Sequence, residues 1–200
     1  MKVMKFGGTS VGSPERMKNV CQLITRSGEP TFVVLSAMSG TTNSLVEISN
    51  YFYKKNLDGA HDIINQLERK YMQHADELFE DEKTNSDIKG FLKERFMFLR
   101  SFSKDTFTSF EERIVVAQGE ILSTNIVVAY LKQCGIKATL ISALDFMKID
   151  KNQEPDMMHI KKEINDILNR ETGYQIYITQ GFICKNAYDE IDNLQRGGSD

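Results

Sequence analysis

The chain has 200 residues, 40% of them hydrophobic and 26% charged, a composition that supports a folded core and excludes intrinsic disorder. A net charge of −3, with basic and acidic residues interleaved, leaves no basic stripe for tracking nucleic-acid phosphates, so nucleic acid is not an expected partner. Cys21, Cys134 and Cys184 are far apart and lack Cys-x-x-Cys spacing, which argues against a disulfide framework or zinc site and for a reducing, cytoplasmic setting.

Residues 2–6 read as a short strand that delivers Lys5 into Gly7-Gly8 and then Thr9-Ser10. A strand fixes where a lysine points, residues without Cβ let backbone N–H groups approach an anion, and two hydroxyls add donors. Lys5, Gly7, Gly8, Thr9 and Ser10 are therefore candidate phosphate ligands, with a plain strand-to-helix turn as the competing reading. The apolar stretch before Gly7 is too short for a signal peptide, and no run approaches a membrane span, so no membrane partner is expected. Ser13-Pro14-Glu15 starts a helix that runs to about Arg26, with Ser13 as N-cap, Pro14 in the first helical position, and Met17, Val20, Cys21 and Ile24 on one apolar stripe. Residues 31–37 form a continuous apolar run typical of a parallel strand covered on both faces; a polar loop over 38–43 and a helix over 44–53 follow. In such a βαβα unit ligands sit beyond the carboxyl ends of the strands, so Lys5, residues 7–10 and residues 36–42 are expected at one sheet edge.

From residue 56 to about 104 the chain reads as polar and helical, with Ile63, Ile64, Leu67 and Tyr71 on one stripe and Phe91, Leu92, Phe96, Leu99 and Phe102 on another: packing rather than chemistry, in a helical insertion. His61, His74 and His159 share no ligand spacing and are expected on solvated helix faces, so no metal site is predicted. Residues 107–131 carry Phe110, Ile114, Ala117, Ile121 and Val128 at near-helical intervals, interrupted by Gln118-Gly119-Glu120. A glycine inside a helical pattern costs stability and calls for a reason, either a break or a close backbone approach. Such a feature lets Glu120 turn toward a ligand at a helix start; the alternative is an ordinary solvated glutamate. Beyond it the pattern gives a strand over 137–142, a polar loop over 150–156, a helix over 157–169, a strand over 175–183 with a polar Thr179-Gln180-Gly181 end, and a hairpin over 184–194, before Arg196-Gly197-Gly198-Ser199-Asp200.

Taken together, Lys5-Phe6-Gly7-Gly8-Thr9-Ser10-Val11, Leu35-Ser36-Ala37 with Gly40-Thr41-Thr42-Asn43, Gln118-Gly119-Glu120, Thr179-Gln180-Gly181-Phe182-Ile183 and Arg196-Gly197-Gly198-Ser199-Asp200 resemble the aspartokinases of the amino acid kinase superfamily in order and spacing. The resemblance implies an α/β three-layer sandwich with a mainly parallel sheet between helices, assembled as a dimer or larger homo-oligomer. It also implies transfer of the ATP γ-phosphoryl group, with Mg2+, to the side-chain carboxylate of L-aspartate, which opens lysine, threonine and methionine biosynthesis. A carboxylate acceptor is already ionised at neutral pH, so no general base is needed and positioning and charge stabilisation carry the catalysis. By resemblance, Lys5 with the N–H groups of Gly7 and Gly8, helped by Thr9 or Ser10, faces the transferring phosphoryl group. Arg196 pairs with the substrate α-carboxylate, Glu120 accepts from its α-ammonium, Ser36, Thr42 and Ser199 help to hold it, and Asp200 orients Lys5. The lysine precedes the glycines, which separates this pattern from a Walker A loop. Family members continue past a matching Arg-Gly-Gly-Ser-Asp with nucleotide-binding strands and ACT domains. Residues 1–200 are accordingly expected to be the N-terminal, amino-acid-binding part of a kinase domain, incomplete for activity alone. The alternatives are a catalytically inactive binding or assembly module, and a related enzyme such as glutamate 5-kinase.

Overall fold

The computed structural model of the chain describes residues 1–104 and 106–194. Four strands, β1 (Lys2–Phe6), β2 (Thr31–Leu35), β3 (Ala138–Leu140) and β4 (Ile176–Gln180), form one parallel sheet in the order β1-β2-β4-β3. Six α-helices accompany them among the described residues: α1 (Pro14–Thr25), α2 (Thr41–Tyr53), α3 (Leu57–Leu78), α4 (Glu82–Ser101), α5 (Ser109–Gln133) and α6 (Met157–Arg170). A separate antiparallel hairpin, β5 (Ile183–Lys185) and β6 (Ile191–Asn193), follows β4.

The period-two alternation of the strands divides the sheet into two apolar faces. Val33, Leu35, Ile176 and Ile178 join the main core built by α1 to α5, whereas Phe32 and Tyr177 face the opposite way and pack with Ile167 of α6 and Phe146. Helices therefore flank a parallel sheet, the expected α/β class. Most of each stripe read from the sequence is buried, namely Met17, Val20, Cys21 and Ile24 on α1, Ile64, Leu67 and Tyr71 on α3, and Leu92, Phe96 and Leu99 on α4, while Ile63, Phe91 and Phe102 are half-buried against the same core. Helices α3 and α4 share the main core with α1, α2 and α5.

Local sequence chemistry sets most helix starts. Ser13 Oγ accepts the Arg16 N–H (3.3 Å) with Pro14 in the first turn, Asn56 Oδ1 accepts the Gly59 N–H (3.0 Å), Asp81 accepts the Thr84 N–H (2.7 Å), and Thr108 with Glu111 forms a capping box. Each such cap contributes about 1 kcal/mol.

Several boundaries differ from the sequence reading. Helix α2 begins at Thr41 rather than Ser44, because Gly40 at φ +82° serves as N-cap and Thr41 is drawn into the core. Helix α5 runs unbroken through Gly119. Strand β4 ends at Gln180, and residues 181–182 turn into the hairpin rather than extending the strand to Ile183. Helix α5 is also long and apolar enough to cross a membrane by length and composition, contrary to the expectation that no run would be; 72% of that apolar window is buried inside the protein, as befits a core helix.

His74 is the remaining correction. It is buried on α3, 5% exposed, rather than solvated. Burial pulls its pKa down to about 4, with Glu77 opposing and Lys70 assisting. The unfolded chain takes up this proton near 6.5, so the contribution to stability is complete above that pH and is lost as pH falls through 4. His74→Leu is expected to remove about 3 kcal/mol of the acid-induced loss between these limits, by the rule of 1.4 kcal/mol per pKa unit. Urea titrations of both proteins at pH 7 and pH 4 measure it; equal pH dependence would refute the assignment.

Candidate active site at the carboxyl end of the sheet

Strands β1 and β2 pair in parallel with Phe6 opposite Leu35, so the loops that follow them leave the sheet side by side. They are tied together directly: the Ser36 N–H donates to Phe6 O (3.1 Å) and the Ser39 N–H to Gly8 O (3.1 Å). Between them, the start of α2, the middle of α5 and the β4–β5 turn enclose an open cleft of about 550 Å³. Of the residues predicted from sequence, Lys5, Gly8, Thr9, Ser36, Thr42 and Glu120 line it. Gly7 and Ser10 belong to the same loop, where the Ser10 N–H donates to Gly7 O (2.9 Å) and closes the turn, but they are not lining residues. Arg196, Ser199 and Asp200 lie outside the described residues.

The glycine loop is shaped by packing as well as by any ligand. A Cβ on Gly8 would sit 2.6 Å from Ala37 O, so only glycine lets the loop lie against the β2–α2 segment. Arg16 of α1 reaches back to the same loop and donates from Nη1 to Thr9 O (3.0 Å).

Across the cleft, helix α2 starts at Gly40, whose lack of a side chain leaves the helix without a side-chain N-cap. Thr42 and Asn43, in its first turn, both line the cleft, so the positive end of the helix dipole is presented there.

Helix α5 crosses behind these loops. Gly119 is the close approach: a Cβ there would lie 2.9 Å from Ala37 Cβ, 3.2 Å from Leu45 Cδ1 and 3.3 Å from Thr41 Cγ2. Its neighbour Glu120 is 4% exposed, which overturns the solvated reading, and it projects from an intact helix rather than from a helix start. Burial pushes its carboxyl up to about 7, while the backbone N–H groups of Phe182, Gly181, Ala37 and Ile183 pull the other way. The Phe182 N–H donates to Glu120 Oε2 at 2.6 Å. A carboxyl held by the β4–β5 turn at the back of a cleft is poised to meet a cationic group, which would restore its charge.

Polar residues of α5 staple the strand ends around the cleft. Ser123 Oγ donates to Ser36 O (2.9 Å). Gln180 Nε2 donates to Thr124 Oγ1 (3.0 Å), and Gln180 Oε1 accepts the Ala143 N–H (2.8 Å). Sequence reasoning did not single out Ser123, Thr124, Asn43 or Phe182 as site residues. Asn43 and Phe182 stand inside quoted motifs and were open to detection. The two α5 hydroxyls carry no local signal, because serine and threonine inside a helix commonly bond back to their own turn.

A lysine, a glycine loop and a helix start converge at the carboxyl edge of a parallel α/β sheet, the place where open α/β folds hold their ligands. The sequence pattern of the amino acid kinase family matches residues 1–200, and the chain belongs to that family. Within it, the similarity is to aspartokinases, over the N-terminal part of their kinase region. Aspartokinase 1, chloroplastic, of Arabidopsis thaliana is 32% identical over 99% of this chain and 36% of its own length; the aspartokinase of Chlamydia muridarum is 29% identical over 99% of this chain and 43% of its own. The structure of Escherichia coli aspartokinase III in complex with aspartate and ADP shares the fold, with a TM-score of 0.83 at 24% identity, covering all of this chain and 44% of that one. The chain thus spans less than half the length of these relatives.

Proposed function

We propose that the chain carries the acceptor end of an aspartate kinase site, at which the γ-phosphoryl group of ATP, supplied with Mg2+, passes to the side-chain carboxylate of L-aspartate to give 4-phospho-L-aspartate. In this reading it serves the first step of lysine, threonine and methionine biosynthesis, in the cytoplasm and as a homodimer, with neither nucleic acid nor membrane as a partner. The observation that carries it is the meeting, in one cleft, of Lys5, Gly8 and Thr9 from the β1 loop with Ser36, Thr42 and Glu120 from three other segments.

The donor set fits an anion at one end and an ammonium group at the other. Lys5, with the glycine-loop N–H groups and Thr9, would hold the transferring phosphoryl oxygens and stabilise charge that develops there. Glu120 would face the α-ammonium, and Arg196, with Ser199, the α-carboxylate. The acceptor oxygen is a nucleophile without deprotonation, so these groups orient and neutralise rather than move a proton.

Hydroxylamine trapping of the acyl phosphate on the whole gene product, with aspartate, glutamate or no acceptor, tests the reaction. Aspartate-dependent hydroxamate is expected, and Lys5→Met should lower its rate about 100- to 1,000-fold, as for loss of one preorganised charge-stabilising donor. Hydroxamate no higher with aspartate than in the blank would sink the reading. Binding of aspartate to the whole gene product without hydroxamate formation would instead favour a module that only binds.

A further inference from the structure

The geometry points to Lys70 and Tyr71 of α3 as positioning residues that hold the Ser39–Gly40–Thr41 turn, and through it the first turn of α2, at the acceptor end of the cleft. The two side chains grip opposite sides of one glycine. Lys70 Nζ donates to Ser39 O at 2.8 Å, and the hydroxyls of Tyr71 and Thr41, on two fully buried residues, share a hydrogen bond at 3.0 Å. The pivot, Gly40, sits at φ +82°, and Lys70 Nζ lies 3.8 Å from where its Cβ would be.

The physical case rests on what glycine does not do. A residue with no Cβ occupies the left-handed region without restricting the chain to it, so a glycine hinge does not enforce its own geometry. Nor does Gly40 offer a side chain to cap α2. The turn therefore depends on outside anchors. On the cleft side these are Gly8 O, which accepts the Ser39 N–H, and Met38 O, which accepts the Thr41 N–H; on the far side they are Lys70 and Tyr71. Ser39, Gly40, Thr42 and Asn43 all line the cleft, whereas Lys70 and Tyr71 do not. They act through the turn rather than on a ligand. Lys70 is itself exposed, so its loss leaves no buried group stranded and should cost little global stability.

The assignment of this turn to the acceptor rests on the aspartate kinase reading; the claim that α3 holds it does not, and the two are tested separately. Hydrogen exchange of the 200-residue chain, followed on peptides covering residues 36–45, is expected to speed up about five- to tenfold in Lys70→Met, the loss of roughly one charge-assisted hydrogen bond, and to return to the original rate in Lys70→Arg. Exchange of peptides from β2 and α5 that open without breaking this bond should stay unchanged, and the melting temperature should fall by no more than about 3 °C, the cost of the same hydrogen bond. Unaltered exchange at residues 36–45, or faster exchange throughout the chain, overturns the positioning role whether or not the protein phosphorylates aspartate. In the hydroxamate assay, Lys70→Met should raise KM for aspartate by a similar factor with KM for ATP and kcat nearly unchanged. A rise in the ATP KM instead, with exchange accelerated as expected, would overturn the placement of the turn at the acceptor end while leaving its anchoring by α3 intact. Tyr71→Phe and Thr41→Val, alone and together, should show coupled rather than additive increases in exchange.

Discussion

Glu120→Gln is expected to make the chain more stable above pH 7 and to abolish the aspartate binding proposed for it. The Glu120 carboxyl titrates near 7 in the folded protein because burial disfavours its charge, against 4.5 for the same group exposed. A raised folded pKa means that the folded state holds the extra proton between these values. Its contribution to stability is therefore complete below pH 4.5 and is lost as pH rises through 7. Glutamine keeps an oxygen to accept the Phe182 N–H and has no proton to lose, so it should recover up to about 3 kcal/mol at pH 8, from 1.4 kcal/mol per pKa unit. Urea denaturation at pH 4 and pH 8 reads the effect as a gap between variant and parent that is nearly closed at the lower pH and fully open at the higher. A gap of the same size at both values would show that the carboxyl is not the titrating group. Calorimetry supplies the functional half. An approaching α-ammonium should restore the carboxylate, so aspartate binding to the parent near pH 6.5 should release a proton, seen as heat that depends on the buffer's ionisation enthalpy. The variant should show neither proton release nor measurable binding. Greater stability paired with lost affinity is the usual consequence of burying a charge for function.

Gly119→Ala should reverse the ordinary sign of its substitution. Alanine in place of glycine in a helix interior normally stabilises by up to about 1 kcal/mol. Gly90 on α4 shows that case: it is exposed, a Cβ there meets nothing within 4 Å, and Gly90→Ala should raise the melting temperature by several degrees. At Gly119 the added carbon would fall 2.9 Å from Ala37 Cβ, in the segment that forms the cleft wall, with Leu45 and Thr41 of α2 also inside contact distance. Overpacking of this kind costs about 1–3 kcal/mol, which exceeds the helix-propensity gain. The movement that relieves it also displaces Ala37 and the start of α2, so aspartate affinity should fall about tenfold or more, in line with the cost of small misplacements in a preorganised site. Thermal melts and calorimetry of the two alanine variants side by side decide the matter. If Gly119→Ala proved as stabilising as Gly90→Ala, the close approach of α2 and α5 would be refuted.

Much of this architecture was legible because its signals are local. The Ser13-Pro14-Glu15 start of α1 depends on residues within one turn of each other, and the side chain of Ser13 does cap the helix. The apolar run over 31–37 needed only its burial on both faces to be read as a strand, which in the structure ends two residues earlier, at Leu35. The glycine loop after Lys5 was visible as a candidate site from residue types alone, and the structure adds a reason for Gly8 that residue types do not contain: the carbonyl of Ala37, 29 positions further along the chain, occupies the space of a side chain.

Where the sequence reading went astray, the deciding partner was distant in sequence. Helix α2 starts early because Thr41 finds the Tyr71 hydroxyl inside the core. Strand β4 stops at Gln180, whose side chain is bound by Ala143 and Thr124, and the following turn is held by Glu120 through the Phe182 N–H. Helix α5 survives Gly119 because apolar neighbours surround it, so burial outweighs a propensity cost of about 1 kcal/mol. His74 read as solvated because charged residues surround it in sequence, yet helical geometry turns its face into the core.

The chain by itself determined the class of fold, the order of its strands and helices, and the residue types able to meet a phosphate, since these follow from periodicity, capping and composition along short stretches; the residues for an amino acid came only from the resemblance to aspartokinases. The shared sheet edge of Lys5, Ser36 and Thr42 followed from the βαβα pattern; tertiary structure alone decided that Glu120 is buried beside them with a carboxyl near neutrality, and that α3 holds the turn opposite the glycine loop. Proximity beyond such a unit and the desolvation of a charge are properties of packing, and no local pattern encodes them.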